Sequence, residues 1–245
     1  MIKPPILMIH GSPGQGGSWK DVISHLDDDW RTITPTLTGH GRGQEPTELE
    51  IAEITDHVLS NVELPDEPIF LVGHSFGGNI CLELALRDAF PITGIAMFEP
   101  VLINCLLTAG LVDIHTPMRD YMLAYVKDYE GGNTKAVGTM IDYWFGMGAF
   151  EAMPDFMRDF LVATTAANIR DVKSGLRRYF DADELARLQV PITIAYGTAS
   201  PPAFEEIANA VVACVGNGKA VPIEGANHAM LADHPADVAK FISSF

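Results

Sequence analysis

The chain has 245 residues, 47% of them apolar, enough for one sizeable α/β domain or two small ones with a buried core. Its 16 basic and 32 acidic residues leave a formal charge of −16, which repels phosphate backbones and anionic lipid and argues against nucleic acid and membrane partners. Cys81, Cys105 and Cys214 lack disulfide or metal-ligand spacing, and no apolar run has the length of a signal sequence or membrane span, so a cytoplasmic protein with reduced thiols is expected.

In chain order, Ile6–Ile9 reads as a buried strand and Thr32–Thr34 as a weaker second. Ile69–Val72, Gly94–Phe98, Ile192–Tyr196 and Ala220–Ile223 follow. Each is short, apolar and bounded by Gly, Pro or polar residues, as strands covered on both faces are. Helical spacing lies between and after them, at Trp19–Leu26, Leu49–Val62, Gly77–Ala89, Phe204–Ala213 and Pro235–Phe245. The alternation predicts a mostly parallel, doubly wound sheet. From Val101 to Leu188 there is no convincing strand. Helical patterns recur around Met118–Tyr129, Thr134–Phe145, Pro154–Thr165 and Ile169–Phe180. The expected division is a core of residues 1–100 and 189–245 with a helical cap, 101–188, inserted over one end of the sheet.

Three motifs carry chemistry. Gly73-His74-Ser75-Phe76-Gly77 fits G-x-S-x-G where a strand ends and a helix begins. A sharp turn there exposes the Ser75 hydroxyl at the carboxyl edge of the sheet, and the helix amino terminus favours developing negative charge. His10-Gly11-Ser12-Pro13 follows the first strand. Pro13 has no amide hydrogen, so the Ser12 amide is the candidate oxyanion donor, paired with that of Phe76. Gly225-Ala226-Asn227-His228 follows the last strand, and His228 is the candidate base. Other histidines fit less well: His40 reads as a turn element, and His74 is expected to point away from the nucleophile.

Together these motifs resemble the α/β-hydrolase superfamily over nearly the whole chain, least in the insertion. The resemblance implies a Ser–acid–His triad on a core of usually eight strands. Here the first strand begins within a few residues of Met1, so a trimmed sheet of about six is expected. The family's usual acid follows the next-to-last strand, where this chain reads Gly197-Thr198-Ala199-Ser200 and offers no carboxylate. Some members, certain lipases and haloalkane dehalogenases among them, take the acid from the strand after the nucleophile. By that analogy Glu99 is the candidate, with Asp113 and Asp233 as weaker fallbacks.

The insertion holds Met118, Met122, Met140, Met147, Met153 and Met157 with Tyr121, Tyr125, Tyr143, Trp144, Phe145, Phe150, Phe156 and Phe160. Most must pack the cap; some would roof the site and favour a small, largely uncharged acyl or alkyl group. The expected activity is hydrolysis of a carboxylic ester, lactone or thioester, with no metal and no organic cofactor. C–C bond hydrolysis, cofactor-free haloperoxidase or perhydrolase chemistry, and a binding protein with a degenerate triad stay open. The expected partner is a small-molecule substrate; a homodimer also stays open.

Overall fold

The computed structural model describes residues 3–41 and 48–245. Six strands form one sheet: β1 Ile6–Ile9, β2 Thr32–Ile33, β3 Ile69–His74, β4 Ile92–Phe98, β5 Ile192–Gly197 and β6 Gly218–Ile223. Their order is β2-β1-β3-β4-β5-β6 and every neighbouring pair is parallel. All six fall on the predicted runs; β3 to β6 extend one to two residues further, where pairing continues into residues of weaker apolar signal.

Alternate strand residues feed two cores, because successive side chains point to opposite faces. Leu7, Leu71, Ile95 and Ile194 join one cluster; Ile6, Met8, Phe70, Val72 and Phe98 join the other. The first face is covered by α2 Ile51–Asn61, α3 Phe76–Arg87 and, later in the chain, a helix at Ala203–Val212. The second is covered by a 3₁₀ turn at Gly16–Trp19, α1 Lys20–Ile23, and two C-terminal helices at Met230–Asp233 and Pro235–Ile242. The helix expected over Trp19–Leu26 therefore starts earlier and ends sooner. Beyond Ser24 the His25 and Leu26 amides donate to the Val22 and Ile23 carbonyls, closing three-residue turns.

Between β4 and β5 the described chain is helical and loop: α4 Cys105–Thr108, α5 Val112–Glu130, α6 Val137–Phe145, α7 Ala149–Ala152, α8 Asp155–Ala163, α9 Thr165–Arg177 and α10 Ala182–Ala186. The two C-terminal helices on the second face are α12 and α13, and Ala203–Val212 is α11. Val137, Ile141, Phe150 and Leu161 form a small core within the insertion, whereas Met118, Met122, Met140, Trp144 and Ile169 merge with the main core. The insertion is thus packed onto the sheet domain as well as within itself. Among the described residues no helix is long and apolar enough to cross a membrane. All three cysteines are unpaired.

The chain leaves β1 to build β2 on one side and returns to place β3 on the other. The segments after β1 and β3 therefore diverge at the carboxyl edge of the sheet. In parallel sheets this switch point is where a crevice opens.

Candidate active site

Ser75 sits at that edge, between β3 and α3, with φ 53° and ψ −122°. This backbone is strained for a residue with a Cβ, and the surroundings enforce it. The Ser75 amide donates to Phe98 O at 3.0 Å, and its carbonyl accepts from the Gly78 amide at 2.9 Å. The flanking glycines are there for space. A Cβ on Gly77 would lie 2.2 Å from Ile9 O, and one on Gly73 would lie 2.6 Å from Gly77 O. Only hydrogen fits, so the elbow can be this tight.

His228 lies in the loop after β6. Its Nδ1 is 2.7 Å from Glu99 Oε2 and its Nε2 is 3.1 Å from Ser75 Oγ. A carboxylate only accepts, so Nδ1 carries the hydrogen, and in the neutral ring Nε2 is bare and accepts from the Ser75 hydroxyl. Glu99, fully buried at the end of β4 with φ 44°, also accepts from the Gly197 amide at 2.8 Å. Its own amide donates to Ala195 O at 2.9 Å. The structure brings Ser75, His228 and Glu99 into one hydrogen-bonded run. Asp113 and Asp233 are both exposed, and the Ser200 hydroxyl is buried without a hydrogen-bond partner.

Ser12 and Phe76 line the same cleft as Ser75. The loop after β1 abuts the elbow closely: a Cβ on Gly11 would lie 2.9 Å from Ser75 Cβ. Phe76 is the first residue of α3, so its amide has no partner within the helix. Counting its open mouth, the cleft encloses about 490 Å³. Its walls are largely apolar, with Ile103, Met118, Met122, Met140, Trp144 and Leu176 among them, and Asn168 and Asp171 form a polar end. Among the described residues no group of three or more His, Cys, Asp or Glu could hold a metal ion.

That polar end escaped the sequence. His40 is buried, and its Nε2–H donates to Asp171 Oδ2 at 2.7 Å. Arg170 donates to Asp171 Oδ1 through Nε and Nη2, at 2.8 and 2.6 Å. Burial alone would raise the Asp171 carboxyl, but His40, Arg170 and the Ser12 hydroxyl outweigh it and hold it below the usual carboxylate range. Beside it, Tyr125 Oη donates to Asn168 Oδ1 at 2.7 Å, and Asn168 Nδ2 donates to Ser12 Oγ at 3.0 Å. Helix α9 is therefore tied to the loop that carries the candidate oxyanion amide. Asp171→Ala should cost about 3–5 kcal/mol in urea unfolding, because it leaves Arg170 and His40 buried without their acceptor; a loss under about 1 kcal/mol would contradict the ionic role.

Two further histidines are held neutral. His10 donates from Nδ1 to Gly11 O at 2.6 Å and accepts the Leu37 amide at Nε2, 2.9 Å away. Burial, assisted by nearby His40, lowers its pKa from 6.5 to about 3. His74, far from being idle, donates from Nε2 to His228 O at 3.1 Å, and burial followed by His228 lowers it well below 6.5. In the unfolded chain both rings take up a proton below 6.5, while the folded protein resists. Their stability contribution is complete above pH 6.5 and is lost as pH falls towards the depressed values. His10 alone should remove about 1.4 kcal/mol per pH unit in that window. Urea midpoints measured at pH 7 and pH 5 should fall accordingly; a midpoint independent of pH would contradict the neutral, buried assignment.

A family model described as "Alpha/beta hydrolase family" matches residues 6–241. A 2-hydroxymuconate semialdehyde hydrolase of Pseudomonas sp. (strain CF600) is 32% identical over 113 residues, covering 44% of this chain and 40% of that protein's length. A pimeloyl-[acyl-carrier protein] methyl ester esterase of Edwardsiella ictaluri (strain 93-146) is 23% identical over 255 residues, 99% of this chain and 93% of the relative. Among solved structures, the enol-lactonase from Burkholderia xenovorans LB400 superposes with a TM-score of 0.75 at 19% identity, covering 98% of this chain and 90% of that one. At that identity the likeness is one of fold.

Proposed function

The chain belongs to the alpha/beta hydrolase family, and we propose that it is a serine hydrolase cleaving a carboxylic ester, or a related lactone or thioester, of a small, largely apolar acyl group. The observation that carries this reading is the hydrogen-bonded run from Glu99 through His228 to Ser75, whose side chain lines the cleft.

Ser75 Oγ attacks the carbonyl carbon as His228 Nε2 takes its proton, and the carbonyl π electrons move onto oxygen. The amides of Ser12 and Phe76 hold that oxyanion; such donors typically contribute 10²–10³ in rate each. Glu99 stabilises the imidazolium and keeps the hydrogen on Nδ1. The intermediate collapses to an acyl-Ser75 ester, and His228 gives its proton to the departing alkoxide. Water, deprotonated by His228, then attacks the acyl carbon and releases the acid and Ser75.

Hydrolysis of a C–C bond uses the same groups, and the 32% identical relative supports it as a second reading. That match covers 44% of the chain, whereas the alignment with the methyl ester esterase covers 99%. The wider alignment favours the ester. The largely apolar walls of the cleft also favour a small, uncharged acyl group. Across a series of p-nitrophenyl esters, kcat/KM should peak at short to medium acyl chains and fall at least about tenfold for long ones. No turnover of any member, beside cleavage of a vinylogous diketone, would transfer the assignment to C–C hydrolysis.

A further inference from the structure

The ring of His228 makes its hydrogen bonds at its two nitrogens; its face meets aromatic side chains. Phe204, in the first turn of α11, has its ring centroid 4.8 Å from that of His228 with 17° between planes. Trp144, near the end of α6 in the insertion, lies 5.2 Å away at 28°. Two rings in a common plane cannot approach so closely without overlapping at their edges, so both contacts are offset stacks. Trp144 and Phe204 are themselves only 5.2 Å apart. Both rings therefore pack against the imidazole at stacking distance while tilted against each other, and Phe145 approaches from 6.3 Å.

We propose that Trp144 and Phe204 form an aromatic roof that holds the His228 ring in line with its two hydrogen bonds and stabilises its positive charge after it takes the Ser75 proton. One ring comes from the insertion and the other from α11, so both elements support the base. The proposal rests on the reading of His228 as that base. An aromatic face attracts a cation through its quadrupole, and the attraction grows where water is excluded. Here Trp144 and Phe204 are 8% and 1% exposed. The polar groups set around the ring are Glu99 from β4, Ser75 and His74 from the end of β3, and His74 is kept neutral by burial. The attraction exists only while the imidazole is charged, so it lowers the transition state more than the ground state and acts on kcat. Both are positioning residues that work through His228.

The two rings separate experimentally, because Trp144 lines the cleft and Phe204 is absent from its lining. Full-length Phe204→Leu, Trp144→Leu and Trp144→Phe proteins are compared with the wild type for kcat and KM on a short p-nitrophenyl ester, with thermal melts to establish folding. Phe204→Leu should lower kcat about tenfold with KM within about twofold. Trp144→Leu should lower kcat similarly and raise KM as well. Trp144→Phe, which keeps a ring face, should recover most of the kcat lost in Trp144→Leu. An unchanged kcat in folded Phe204→Leu, or no recovery in Trp144→Phe, overturns the roof alone. A wild type that neither turns over esters nor reacts with a fluorophosphonate overturns the hydrolase reading, and the roof with it.

Discussion

Glu99→Gln should leave a folded protein whose kcat on an activated ester is lower by about 10⁴, with KM little changed. The reason is geometric. The carboxylate accepts two donors at once, His228 Nδ1–H at one oxygen and the Gly197 amide at the other. Glutamine has the same shape but only one accepting oxygen. If that oxygen faces His228, the NH₂ meets the Gly197 amide, donor against donor. If the NH₂ faces His228, it donates to Nδ1 and drives the ring hydrogen to Nε2, which then cannot accept from Ser75. Either arrangement also removes the negative charge that stabilises the imidazolium. Near-wild-type kcat in folded Glu99→Gln would place the acid elsewhere. The fallback carboxylates are poor recipients, since Asp113 and Asp233 are exposed on the surface.

Ser75→Ala should have a larger effect, a loss of about 10⁶ in kcat with binding of a substrate-like inhibitor retained. It deletes the nucleophile while leaving the apolar walls and the amides of Ser12 and Phe76 in place. Any remaining rate would come from those amides and from substrate positioning. Isothermal titration with the hydrolysed acid, alongside turnover, separates the two effects. A Ser75→Ala protein with more than about one per cent of wild-type kcat would mean that another group performs the attack.

The strands and the elbow were legible because each is written locally. Ile69–Val72 is a continuous apolar run, Gly73 and Gly77 mark the tight turn, and the ensuing helical period follows at once. Glu99 was legible by a different route. The usual acid position holds Ser200, which pointed to the end of the neighbouring strand, and parallel pairing of β3 with β4 puts Glu99 one residue past Phe98, which pairs with His74. The groups that the sequence concealed are all long-range pairs. His40 meets Asp171 across 131 positions, and Asn168 meets Ser12 across 156. Both contacts depend on how α9 seats on the sheet domain, which no local periodicity specifies. His40 in Gly39-His40-Gly41 reads as a turn because the turn is local and its partner Asp171 is not. Trp144 reads as one aromatic among many between β4 and β5, but its stacking on His228 depends on how α6 seats beside the loop after β6.

Whether Ser75 is an activated nucleophile is read directly by intact-mass spectrometry after treatment with a fluorophosphonate. The expected result is one phosphonyl adduct per chain, mapped by peptide digestion to Ser75, absent in Ser75→Ala and much slower in Glu99→Gln. A folded wild-type protein that stays unmodified, or that carries the adduct on a different residue, would contradict it.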